Sequence, residues 1–146
     1  MLKRISLCVT SSLVLACSPA AHAHVVDNVL EHSAPTAALQ LNPIGSHESG
    51  VLGKSAAEIV AYHAASQRIL TVNARSGEVD ILDGSDPTHP RKIGAISAGG
   101  DKEVNSVAVR PDGLAVAAVQ QADKTDNGEA LFFNAATGEE LGRAAR

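Results

Sequence analysis

Three acidic side chains close to a glycine could bind a metal ion. Asp123, Asp126 and Glu129 lie in the stretch DKTDNGE, in which Gly128 precedes the last acid. Calcium in proteins is bound by carboxylate and carbonyl oxygens, often on a loop that contains a glycine. The spacing differs from the D-x-D-x-D-G order of the calcium-binding helix–loop–helix motif, and a polar loop between two strands explains the same residues. We predict a polar loop here and keep Ca²⁺ as the cofactor that its acids suggest.

Two histidines near the start of the chain suggest a different metal. Cleavage after Ala23, for which the evidence follows, would make His24 the first residue of the mature protein. An N-terminal histidine can chelate copper through its amine and Nδ1, and His32 could add a further nitrogen. The sequence favours the alternative, which is a flexible N-terminal arm with incidental histidines.

Glu58 is a candidate site residue of a different kind, because it lies within the apolar run SAAEIVAY. A carboxylate in an apolar strand costs free energy unless it is paired or hydrated. An exposed strand position is the alternative, and we prefer it. We find no sequence motif of a serine hydrolase, a zinc protease, a nucleotide-binding loop or a dithiol enzyme, and we therefore predict no catalytic residue.

Residues 1–23 are predicted to be a secretory signal peptide. Lys3 and Arg4 form a basic start, the apolar run that follows is too short to span a bilayer, and Ala21-His22-Ala23 fits the small-x-small cleavage rule. A lipoprotein signal that ends at Cys17 is the less favoured alternative, because Leu15 is large where a small residue is usual. We expect cleavage after Ala23 and a secreted or periplasmic protein.

Cleavage would leave 123 residues with a net charge of −6 and no cysteine, because the signal segment contains two basic residues, no acid and both cysteines. An acidic chain disfavours binding to nucleic acid. Aromatic side chains for stacking are also few. They are Tyr62, Phe132 and Phe133.

Residues 24–55 have little periodicity and many turn residues, and they are predicted to be an N-terminal arm. The rest, residues 56–146, contains eight short, mostly apolar runs bounded by turn residues, which indicates antiparallel strands. These runs are AEIVAYH, QRILTVNA, GEVDILD, PRKIGAIS, VNSVAVR, GLAVAAVQ, EALFFNA and EELGRAA. A helix over SAAEIVAYHAASQRIL is the alternative that we disfavour.

The eight runs form two units of four, with a first unit at about 56–98 and a second at about 104–143. Val107 follows Ile59 by 48 positions, and four-stranded units that recur at 40 to 50 residues are typical of β-propeller blades. The first strands of blades line the central channel, so Glu58 could face it. The side chains that we expect between the sheets, from alternation along the strands, are Ile59, Val72, Ile81, Val107, Val109, Val116 and Phe132.

Ordered blocks of sequence between Asn42 and Phe133 point to a family. They are PIGSHESG, AAEIVAYH, TVNA, VDILDGSDPTHP, VNSVAVR and LAVAAVQQADKTDNGEALFF. They resemble secreted bacterial proteins with a choice-of-anchor I domain, also called mesenchyme-specific cell-surface glycoprotein-like proteins. The sequence departs from the family pattern at His47, His63 and Gly84, where an aromatic residue, an aspartate and a β-branched residue are usual. Any ligand role of positions 47 and 63 therefore does not carry over.

The resemblance implies an extracytoplasmic β-propeller that is longer than this chain. We therefore expect an incomplete, all-β propeller of about two blades, whose open edges favour self-association or a partner protein. Our leading hypothesis is an exported, non-catalytic binding or interaction protein. The first alternative is a fragment of an extracytoplasmic alkaline phosphatase-like hydrolase, because some relatives carry such names. The second is copper binding at His24.

Overall fold

Eight β-strands make up the regular structure of the computed structural model, which describes residues 36, 38, 43–49 and 57–145. The strands are β1 Ala57–His63, β2 Arg68–Asn73, β3 Glu78–Asp83, β4 Arg91–Ser97, β5 Glu103–Val109, β6 Leu114–Gln120, β7 Glu129–Asn134 and β8 Glu140–Ala145. All eight predicted strands are confirmed. The helical alternative is excluded for residues 57–70, where two strands and a turn are found.

The strands form two antiparallel four-stranded sheets, each of which follows chain order. Sheet 1 has the order β1-β2-β3-β4 and sheet 2 has the order β5-β6-β7-β8. These sheets are two propeller-like blades, which confirms the predicted fold class, and the two do not close a ring. The described part contains no helix that could span a membrane.

One turn motif is used in both sheets. The sequences NARSG, from Asn73 to Gly77, and NAATG, from Asn134 to Gly138, each connect two strands. In both turns the asparagine Oδ1 accepts backbone hydrogen bonds, and the glycine has a positive φ of 63° or 73°. This is the side-chain-to-backbone bonding that favours asparagine in turns. The motif connects β2 to β3 in sheet 1 but β7 to β8 in sheet 2.

The core lies between the two sheets, whose facing surfaces are apolar. Sheet 1 contributes Leu70, Val72, Val79, Ile81, Ile96 and the adjoining Ala98, and sheet 2 contributes Val104, Val107, Ala115, Ala117, Val119, Leu131, Phe133 and the adjoining Ala135. The first strand of sheet 2 lies against the first three strands of sheet 1. Hydrophobic burial of this surface is the main source of stability in a chain without a described helix.

The predicted core was correct in part. Val72, Ile81 and Val107 are buried as predicted, and Val109 is partly buried and packs against the core. The prediction was wrong for Ile59, which is 38% exposed. We had matched Ile59 of sheet 1 with Val107 of sheet 2. In the structure Val107 pairs with Ala117, and the residue at the corresponding place in sheet 1 is Ala61, which pairs with Leu70. A register shift between Ala57 and Val60 moves Ile59 out of the alternation that we assumed.

The prediction was also wrong for Val116 and Phe132, which are only half-buried. These two residues are cross-strand partners on the outer face of sheet 2. The buried positions of β6 and β7 are one residue away, at Ala115, Ala117, Val119, Leu131 and Phe133. Because side chains alternate with a period of two, an error of one residue selects the opposite face.

Residues 43–49 lie over the outer face of sheet 1 without regular secondary structure. The backbone of Gly45 packs directly against that of Pro87 and Thr88, where a larger residue would clash. Asp80 and Leu82 are buried although they belong to the outer face, and both border a cavity that residues of the 43–49 segment also line. Sheet 1 is therefore partly covered on both faces.

Candidate functional site

The acidic stretch from Asp123 to Glu129 is a hydrogen-bonded loop followed by a paired carboxylate. Asp123 Oδ1 accepts hydrogen bonds from the backbone nitrogen of Thr125 at 2.9 Å and from its hydroxyl at 2.7 Å. These bonds, led by the backbone one, lower the pKa of Asp123. Asp126 donates its backbone N–H to the carbonyl oxygen of Asp123 at 3.0 Å.

Glu129 lies at the start of β7, and its carboxylate forms ion pairs with two basic side chains. Its Oε1 is 2.8 Å from Lys102 Nζ and 2.7 Å from Arg143 Nη1. Across residues 43–49 and 57–145, no group of three or more His, Cys, Asp or Glu is arranged to hold a metal ion. The assignment of Ca²⁺ to Asp123, Asp126 and Glu129 stays a prediction.

The other candidate residues lie apart from this loop. His24 and His32 are outside the described residues, so the structure has no bearing on copper binding there. Glu58 lies in β1 at an exposed position beside the register shift. Its orientation toward a channel stays a prediction.

Arg143 joins the two sheets, and the sequence analysis did not identify it. Its Nη1 donates to the carbonyl oxygen of Ala98 at 2.7 Å, and its Nη2 donates to that of Ser97 at 3.2 Å. The guanidinium also pairs with Glu129 and Glu140. Hydrogen bonds from Lys102 and then from Arg143 lower the pKa of Glu129.

The outer face of sheet 2 is concave. It forms an open groove of about 790 Å³ between the loop at residues 126–128 and the strands. We call the apolar part of this outer face the open face, defined by Ala108, Val116, Ala118, Ala130, Phe132 and Ala144, of which all but Phe132 line the groove. None of these six side chains is charged, and the groove is bordered by polar Asn105 and Gln120 and by acidic Asp126 and Glu129. In LAVAAVQ the residues at both sets of alternating positions are mostly alanine or valine. This pattern was the sequence signal that β6 has a second apolar face.

The comparison with family models decides the relationship of this chain to known proteins. Residues 58–145 match the model of the choice-of-anchor I domain, which is more than half of the chain. The chain belongs to the choice-of-anchor I domain family. Membership suggests a cell-surface, anchor-type β domain and confirms the resemblance that the sequence blocks predicted.

The chain is also similar to solved structures. A solved structure of a protein of unknown function from Bacteroides caccae is similar to this choice-of-anchor I domain, with 22% sequence identity and a TM-score of 0.45. The match covers 61% of this chain, and the chain spans only 28% of that protein. No curated protein matches the sequence.

His63 is one of the positions at which this choice-of-anchor I domain departs from the family pattern, and it connects the two sheets. The side chain is buried at the end of β1. Its Nε2 is 3.2 Å from the carbonyl oxygen of Pro111, and its Nδ1 is 2.6 Å from Ser66 Oγ. A neutral imidazole that donates from Nε2 and accepts at Nδ1 satisfies both contacts. The histidine therefore has a structural role between the blades.

Proposed function

We propose that this choice-of-anchor I chain is an exported, non-catalytic interaction domain that associates with a second copy of itself through the open face. The observation that carries the proposal is the groove of about 790 Å³ on the outer face of sheet 2, whose strand centre is lined by alanines and Val116. Contiguous apolar surface on a soluble domain commonly marks an interaction site.

A second copy is the occupant that the chain itself favours. The outer face of sheet 1 is partly covered by residues 43–49, whereas no described residue packs over the centre of the open face. Two open faces related by a twofold axis would pack Phe132 and Val116 of each copy against the alanines of the other. Because the open face lacks charged groups, this contact brings no like charges together at its centre.

The size of the open face limits the strength of this association. Four strands about 4.8 Å apart, each of six or seven residues that rise about 3.3 Å, cover about 400 Å². Stable interfaces bury about 800 Å² on each partner, which is twice that area. We therefore expect a weak, concentration-dependent dimer, with a dissociation constant in the micromolar to millimolar range.

Export is supported by the basic start, the apolar run and the Ala21-His22-Ala23 site. The experiment is the intact mass of protein recovered from the periplasm or the medium. A mass that corresponds to a chain starting at His24 supports the proposal. A chain that starts at Met1, or at a lipid-modified Cys17, contradicts cleavage after Ala23.

The association is tested by sedimentation equilibrium of the purified exported protein over a hundredfold range of concentration. Val116→Lys places a charge in the open face and should leave a monomer at every concentration. Ile93→Lys is the control, because Ile93 is exposed on β4 of the other sheet, and it should dimerise like the unsubstituted protein. A wild-type monomer throughout, or a Val116→Lys protein that still dimerises, overturns the proposal.

The hydrolase alternative has a separate assay. Hydrolysis of p-nitrophenyl phosphate is measured with and without Ca²⁺ on the same preparation. We expect no activity above that of buffer. Activity that co-purifies with the protein through two columns would favour a phosphatase-like hydrolase instead.

A further inference from the structure

Two adjoining cavities lie on the outer face of sheet 1, on the side opposite to the core. They have volumes of about 310 and 320 Å³, at the lower end of the range for small-molecule sites. Both are lined by His47 and Ser49 of the 43–49 segment and by Asn73 and Asp80 of the sheet. The carboxylate of Asp80 therefore lies at the boundary between the two.

Asp80 is a charged residue that is only 8% exposed. Its Oδ2 accepts a hydrogen bond of 3.1 Å from Asn73 Nδ2. Its Oδ1 is buried and accepts no hydrogen bond from the described residues, although Lys92 Nζ lies 2.7 Å away as an ion pair. A buried carboxylate is costly for the fold unless a cation compensates it, and Lys92 does so here.

Lys92 is the part of this arrangement that can move. It lies on β4, the edge strand of sheet 1, and its side chain is 39% exposed. Its Nζ is also 3.9 Å from Glu78. A long ammonium side chain at an edge can leave one carboxylate for another anion with little rearrangement of the backbone.

The two cavities have different linings. The first carries charges of both signs, from Glu48, Glu78 and Asp80 and from Arg75 and Lys92. The second is bordered largely by apolar side chains, among them Ala57, Ile69, Leu82 and Pro90. Asp80 is common to both linings. A ligand that fits both needs opposite charges at one end and a compact apolar group at the other.

We propose that these cavities bind a small zwitterion with an apolar side chain, of the size and charge of an apolar amino acid. The ligand ammonium donates to Oδ1 of Asp80 in the place that Lys92 leaves. The ligand carboxylate forms an ion pair with the ammonium of Lys92, and Arg75 lines the same cavity. The apolar side chain enters the second cavity beside Ile69 and Leu82. No covalent step is involved, and the site lies on the sheet opposite to the open face.

The test is isothermal titration of the purified protein with L-leucine. We expect saturable binding to one site per chain. Glycine lacks the apolar group and 3-methylbutylamine lacks the carboxylate, so each should bind at least about tenfold more weakly than leucine, since charged hydrogen bonds and apolar contacts contribute on this scale.

Two variants locate the site. Asp80→Asn removes the charge that receives the ligand ammonium, and Lys92→Met removes the cation that receives the carboxylate. Each should weaken leucine binding about tenfold or more. Lys92→Met keeps the test valid if Asp80→Asn fails to fold, because Lys92 lies on an exposed edge strand. Arg91→Met, a substitution at the neighbouring and exposed position, is the matched control and should bind leucine normally.

The outcomes separate this proposal from the dimer. Absence of saturable leucine binding overturns the ligand site, as does unchanged affinity in both variants. Neither result bears on the open face, because Val116→Lys is expected to bind leucine like the unsubstituted protein.

Discussion

Arg143 of β8 donates a hydrogen bond of 2.7 Å to the carbonyl oxygen of Ala98, which follows the last strand of the other sheet. The contact spans 45 residues of sequence and joins the outer strand of one blade to the other blade. The same guanidinium pairs with Glu129 and Glu140, which hold it in position. This side chain thus adds polar contacts between the two sheets beside the apolar core, to which Ala98 belongs.

Arg143→Met should lower the free energy of unfolding by about 1 to 3 kcal/mol, because hydrogen bonds from a charged group contribute on this scale. Urea denaturation followed by far-ultraviolet circular dichroism measures the change. Arg110→Met is the control, since the exposed Arg110 pairs with Asp112 at the surface, and it should change stability by less than about 0.5 kcal/mol. Equal effects of the two substitutions would show that Arg143 does not connect the sheets.

Stability should fall at acidic pH because of Glu129. Its pKa in the folded protein lies below the ordinary value of 4.5, chiefly because Lys102 and then Arg143 donate hydrogen bonds to it. A carboxylate with a depressed folded pKa stabilises the protein above its unfolded pKa and loses this contribution as pH falls through the folded value. Thermal unfolding between pH 7 and pH 3 should therefore show a loss below about pH 4.5 that is smaller in Glu129→Gln. A Glu129→Gln protein with the same pH profile would contradict this role.

Phe133 and Phe132 are adjacent, but they should differ in their effect on stability. Phe133 is fully buried between the sheets, so Phe133→Ala should cost about 3 to 5 kcal/mol. Phe132 is half-buried on the open face, and Phe132→Ala should cost clearly less in the monomer. Urea denaturation at a concentration below that of dimer formation compares them. The reverse order would place the core on the other face of sheet 2.

The strands and the two-sheet architecture could be predicted from sequence because each strand is a short apolar run between turn residues. Turns such as NARSG and PDG mark the ends of strands through local chemistry alone. The phase of the strands in sheet 2 could not be predicted in this way. In LAVAAVQ both faces are apolar, and the larger valine at position 116 lies outward while alanines face the core. Val119 also faces the core, so residue size does not mark the buried face, and which apolar face meets the other sheet is a tertiary property.

The sites were less predictable for a similar reason. Asp123 was recognisable as a turn residue because its partner, Thr125, is two positions away. Asp80 can be recognised as a site residue only in the three-dimensional structure, because it shares its cavity with a segment more than 30 residues earlier in the chain. Arg143 likewise contacts residues 45 and 46 positions away, beyond the reach of any local pattern.

Gly77, the glycine of the NARSG turn, should be sensitive to substitution, because its conformation and its surroundings both exclude a side chain. Its φ is +63°, and a Cβ atom would collide with the carbonyl oxygen of Lys102 in the link between the sheets. Gly77→Ala should therefore cost about 1 kcal/mol for the left-handed conformation and further free energy for the displaced backbone. Gly100→Ala is the matched control, since Gly100 has a φ of +56° with open space around it, and only the conformational cost should appear. Urea denaturation of both variants isolates the contact between the turn and Lys102 as the difference between them. Equal losses would show that the link moves aside freely, and that the sheets are not held together at this turn.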